Sequence, residues 1–75
     1  MNLEEFVKGF SELFDDTDES EITALTNFHE LDEWSSLISM SLIAYARTEF
    51  GKKISGNEIR NCETVEDLYN LVTSK

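Results

Sequence analysis

Between Ser36 and Phe50 the chain reads SLISMSLIAYARTEF, a run without proline or glycine that is apolar on two sides of a helical wheel. At about 100° per residue, Leu42, Ile43, Ala46 and Phe50 fall on one stripe, and Leu37, Met40 and Ala44 on another roughly 150° away. A helix with two apolar stripes is either central in its bundle or offers one stripe to a partner. A chain of 75 residues has little material to cover both. The first stripe is therefore expected to face the core. The second, bordered by Ser36, Ser41, Arg47 and Thr48, is expected to stay partly exposed. Gly51 is a suitable left-handed stop for this helix, and Lys52 and Lys53 suit its negative end.

Three further helices are expected around it. Leu3, Phe6, Val7, Phe10, Leu13 and Phe14 follow helical spacing over residues 2–14. Asn2 is the expected N-cap, and Glu4 and Glu5 suit the positive end. Gly9 interrupts this helix at a cost of about 1 kcal/mol, with no functional reason visible in the sequence. DDTDESE at 15–21 ends it, and a connection of about 20 residues without sustained period follows, long for so small a domain. Ile22, Leu25, Phe28 and Leu31 recur every third residue and are expected to anchor that loop, with a short helical turn among them. SGNE at 55–58 is a capping box, opening a short third helix to about Asn61. Thr64 opens the last helix, striped by Val65, Leu68, Tyr69 and Val72. No segment reads as a strand. The expected fold is all-α, a single domain over residues 1–75: a four-helix bundle with a long first loop and a short third helix.

Composition narrows the function. The net charge is −10, and residues 1–33 hold eleven acids against one base, Lys8, while the rest of the chain is balanced. Such a surface repels nucleic acid and anionic membrane and attracts basic protein surfaces. Neither nucleic acid nor membrane is an expected partner, and a monomer is expected. The single cysteine, Cys62, cannot form an internal disulfide and reads as a small buried hydrophobe. MNLEEFVKGF has early acids and no long apolar run, so neither signal peptide nor membrane span is expected, and the expected location is cytoplasmic. One histidine, His29, and one cysteine make neither a zinc set nor a convincing nucleophile–base pair. DTDES at 16–20 has the alternating oxygens of a calcium loop, but Glu21 stands where glycine is required and Asn27 where the final glutamate belongs. There is no glycine-rich phosphate loop. No catalytic residue, no metal site and no enzyme activity are expected.

Ser36 remains. Read locally, it is the N-cap of the second helix. A phosphate on its hydroxyl would also sit at a helix N-terminus, where free amides and the dipole favour negative charge.

The segments around it resemble the acyl and peptidyl carrier proteins. Those proteins bear an Asp-Ser-Leu motif at the start of the second helix, matched here by WSSL, with Ser36 before Leu37. FHELDEWSSL resembles the end of their first loop. IAYARTEFGKKIS resembles their EEFGIEIS passage into the third helix, and CETVEDLYNLV their TTVQDLYDLV-like last helix. The resemblance covers nearly the whole chain. It implies that Ser36 receives a 4′-phosphopantetheine arm from coenzyme A through a phosphopantetheinyl transferase. A loading ligase and downstream transferases or synthases would then use the arm's thiol to carry an acyl or aminoacyl group as a thioester. Fatty acyl, polyketide and amino-acid cargo all stay open.

Two departures stand out. Ser35 occupies the motif's aspartate position, and the second helix holds only one acid, Glu49, where fatty-acid carriers have several. The first bears on which transferase acts, and the second points to a dedicated partner set, docking on Leu37, Met40, Ser41, Ala44 and Arg47, with Glu33 on the adjoining loop. A short acyl chain would shelter between the second and third helices if Ala44 and Ala46 leave room and Trp34 and Tyr45 do not fill it. The alternative is an acidic helical adaptor that keeps the fold and is never modified.

Overall fold

The computed structural model describes residues 2–75. The N-terminal apolar period forms α1 (Leu3–Ser11), where Asn2 Oδ1 accepts from Glu5 N at 2.8 Å as the cap. The helix stops three residues short of the expected Phe14. The buried Ser11 hydroxyl donates back to Lys8 O at 2.7 Å, a bond that competes with the helical ladder. The chain then tightens into i→i−3 bonds, from Leu13 N to Phe10 O and from Phe14 N to Ser11 O, which still seat Phe14 in the core.

The second run forms α2 (Ser36–Phe50), closed by Gly51 at φ 65°, a conformation only glycine adopts at little cost. α3 (Gly56–Arg60) opens on the reciprocal capping box of Ser55 and Glu58. α4 (Val65–Thr73) opens on the equivalent pair Thr64 and Asp67. Among the described residues there is no strand, only an isolated bridge between Asn27 and Thr64. The protein is thus an all-helical bundle with a long first loop, as expected.

The core is built from Phe6, Phe10, Phe14 and Phe28, sealed by Ile38, Leu42 and Ala46 of α2, Ile54, Ile59, and Val65, Leu68 and Val72 of α4. Phe6 packs its ring against Phe10, Tyr45, Phe50 and Tyr69, joining α1, α2 and α4 through one side chain. Gly9 has a packing role that its sequence context did not disclose. A Cβ there would overlap the Tyr45 hydroxyl, so glycine lets α2 lie against α1.

The long loop is ordered by two short 3₁₀ turns, Glu19–Glu21 and Phe28–Glu30, not one. Ile22 and Phe28 are buried and Leu31 half-buried, as expected of anchors. Leu25 is not an anchor, because it is 78% exposed. The loop turns outward there so that its carbonyls can meet α4. Ala24 O accepts from Glu66 N at 2.9 Å and Thr26 O from Val65 N at 3.2 Å, satisfying first-turn amides that have no partner within a helix. His29 Nε2 donates to Cys62 O at 2.8 Å, tying the loop to the α3–α4 turn as well.

Candidate functional site

Ser36 is not the N-cap. Ser35 holds that place, with extended backbone (φ −156°, ψ 174°) and its Oγ accepting from Ile38 N at 3.4 Å. The side chain of Ile38 explains the register. It is buried, so the helix must begin early enough to turn it inward, which puts Ser36 at the first helical position. The Ser36 side chain is exposed and has no capping duty. In the three other helices the first turn carries acids: Glu4 and Glu5, Glu58, and Glu66 with Asp67. The first turn of α2 carries none. An anion on Ser36 would meet the positive end of a helix without a carboxylate beside it.

A groove of about 350 Å³ opens beside Ser36. It is lined by Ser35 and by Ser36, Ser39, Met40 and Ile43 of α2, by Gly56, Ile59 and Arg60 of α3, and by His29 and Trp34 of the loop. Trp34 is held by Phe28 and Phe10, with ring centroids 4.7 and 6.4 Å away. Four residues were expected to decide the room in this space: Ala44, Ala46, Trp34 and Tyr45. Trp34 does line it, but Ala46 is fully buried in the core, Ala44 is exposed on the second apolar stripe, and Tyr45 packs on Phe6 and Phe50 instead. The lining residues Ile43, Ile59 and Arg60 were missed, because their meeting depends on the α2–α3 crossing and not on spacing along one element.

The second apolar stripe of α2 is open to solvent. Leu37 is 71% and Met40 66% exposed, and Ala44 and Arg47 are exposed beside them, with Ser41 half-buried at the edge. All five lie on one helix whose opposite face, Ile38, Leu42 and Ala46, is in the core. Ile38 is the core residue that the wheel reading left out.

Glu33 has a different surrounding. Its carboxylate takes Asp15 N at 2.8 Å, Asp16 N at 3.0 Å and the Thr17 hydroxyl at 2.7 Å. The Thr17 hydroxyl, foremost, and then the backbone amides hold its carboxyl below the ordinary glutamate range, against the opposing effect of desolvation. Glu33 thus pins the start of the loop to its end. Around it Asp16, Glu21, Glu30 and Asp32 line an acidic cleft of about 510 Å³. Among the described residues no group of three acids, histidines or cysteines is placed to hold a metal ion. DTDES is instead a capped 3₁₀ turn in which Asp18 accepts from Ser20 N. The half-buried Cys62 thiol is pushed up by desolvation and then by Asp67 and Glu58, so it is a weak nucleophile.

No helix among the described residues is long and apolar enough to cross a membrane. Compared with known protein families, residues 6–72 match the family model described as "Phosphopantetheine attachment site". No curated protein sequence and no solved structure matches the chain.

Proposed function

The chain belongs to the phosphopantetheine attachment-site family, and from that premise we propose that Ser36 takes the arm and that the protein shuttles an acyl or aminoacyl group between partner enzymes. Proteins of this family hold 4′-phosphopantetheine covalently, and their carrier domains are not themselves catalysts. The matched span runs nearly end to end, in keeping with one carrier domain over residues 1–75. The observation that carries the Ser36 assignment is an exposed hydroxyl, free of capping, at the one α-helix start among the described residues with an acid-free first turn.

The residues present fit the group. The amides of the first turn and the α2 dipole favour the phosphodiester's charge, and the neutral Ser35 cap adds no repulsion. No carboxylate lines the groove at Ser36, and the Nε2 of His29, which does line it, is committed to Cys62 O, so the transferase takes the hydroxyl proton as the Oγ–phosphorus bond forms and the nucleotide portion of coenzyme A leaves. When bound, the arm supplies a thiol that carries cargo as a thioester. The chain's own part is to present Ser36 on a rigid helix, to offer Leu37, Met40, Ser41, Ala44 and Arg47 as a docking face, and to draw basic partners through the acidic loop that Glu33 organises. Docking on so small a face is weak and fast, as a shuttle requires. The partners are a phosphopantetheinyl transferase, a loading ligase and downstream transferases or synthases, with the protein acting as a cytoplasmic monomer.

Incubation with coenzyme A and a promiscuous phosphopantetheinyl transferase, followed by intact mass, tests this reading. One added phosphopantetheine, lost in Ser36→Ala, supports it. No addition with several transferases favours an unmodified adaptor using the same face.

A further inference from the structure

The groove beside Ser36 carries no carboxylate, in a chain with 16 acidic residues. Arg60 stands in its α3 wall, across from the hydroxyls of Ser35, Ser36 and Ser39. The guanidinium donates to Asn57 Oδ1, which takes one of its five N–H groups. The one acid of α3, Glu58, is engaged elsewhere. Its carboxylate holds Lys75 Nζ at 2.7 Å and Ser55 N at 3.0 Å, and that contact with Lys75 is the one ion pair among the described residues. Arg60 therefore brings an unpaired positive charge into a groove that starts at the modifiable serine. His29 also faces the groove, but its Nε2 is committed to Cys62 O.

Resting on the reading of Ser36 as the attachment residue, we propose that Arg60 binds an anionic group carried on Ser36. That group is the arm's phosphodiester or a carboxylate on the cargo, and a guanidinium meets either through paired N–H donors. Binding there lays the arm along the groove over Trp34 and Ile59 instead of leaving it extended. Trp34 is the only tryptophan, so the groove contributes a single indole N–H resonance.

The test follows the Arg60 Nε–Hε and Trp34 indole N–H resonances of the full chain in four forms: unmodified, phosphopantetheinylated, butyryl-loaded and succinyl-loaded, each verified by mass. If the phosphodiester is the anion, both signals move on phosphopantetheinylation and stay there with either cargo. If the cargo carboxylate is the anion, they move only with succinyl. In either case Arg60→Gln abolishes the Trp34 shift and Arg60→Lys retains part of it. Arg60 signals that are the same in all four forms overturn the proposal. So do shifts that butyryl and succinyl cause equally in a chain unmoved by phosphopantetheine, or a Trp34 shift that persists undiminished in Arg60→Gln. A mass that rises while Arg60 stays silent removes this proposal alone, whereas a mass that never rises removes the Ser36 reading with it.

Discussion

A Cβ built on Gly9 of α1 would overlap the hydroxyl of Tyr45 on α2 and lie 2.6 Å from its ring carbon Cζ. The ring cannot swing away cheaply, because it is wedged against Phe6 and Phe50 with centroids 6.1 and 5.5 Å away. Alanine at an open helical site would gain about 1 kcal/mol over glycine. Here the overlap wins, and Gly9→Ala is expected to destabilise the fold by about 1–3 kcal/mol, the usual cost of overpacking. In a Tyr45→Leu background the same change should be neutral or stabilising. Urea midpoints of the four proteins in this cycle check the coupling, and additive effects would contradict it.

The adjacent serines of α2 should separate cleanly. Ser35→Ala removes a cap and is expected to cost about 0.5–1 kcal/mol, the low end for such caps because the bond to Ile38 N is long at 3.4 Å. Ser36→Ala, at an exposed first position, should leave stability within about 0.5 kcal/mol. Thermal unfolding of the two variants in unmodified form decides it. The opposite order would restore Ser36 as the cap.

Acid should loosen the loop through Glu33. The folded-state carboxyl lies below its ordinary value, chiefly through the Thr17 hydroxyl. Its contribution to stability is therefore complete above the unfolded pKa of about 4.3 and is lost as pH falls through the lower folded value. Glu33→Gln should be less stable than the parent at pH 7, and the difference should close as the pH is lowered through that window. Amide exchange at Asp15 and Asp16, whose N–H groups the carboxylate holds, reads this directly. A gap that does not change with pH would contradict the assignment.

Charge placed on the docking face should affect partners and not the fold. Met40→Asp, at a side chain 66% exposed, is expected to shift stability by no more than about 0.5 kcal/mol. It should lower the transferase kcat/KM for Ser36 by about tenfold or more, the loss of roughly 1.4 kcal/mol of contact. Unchanged kcat/KM in both Met40→Asp and Leu37→Asp would remove this face from the account.

What could be read without coordinates was local. The caps at Asn2, Ser55 and Thr64 and the stop at Gly51 each rest on close sequence neighbours, and all are present in the fold. The exposed stripe of Leu37 and Met40 was legible because helical period alone sets which residues share a face. The remaining features depend on distant partners. The folded loop involves a Glu33 carboxylate 18 residues from Asp15. The outward Leu25 follows from α4 amides taking the loop's carbonyls. The shift of the cap from Ser36 to Ser35 follows from the burial of Ile38, which the wheel had not placed in the core. Arg60 came to the groove only through the crossing of α2 and α3.

The most direct measurement locates the arm. After reaction with coenzyme A and a transferase, the peptide containing Ser35, Ser36 and Ser39 is fragmented by tandem mass spectrometry so that each bond between these hydroxyls is read. The account predicts phosphopantetheine on Ser36 alone, the exposed serine that caps nothing. Phosphopantetheine on Ser35 or Ser39, or a peptide that stays unmodified with every transferase tried, would contradict it.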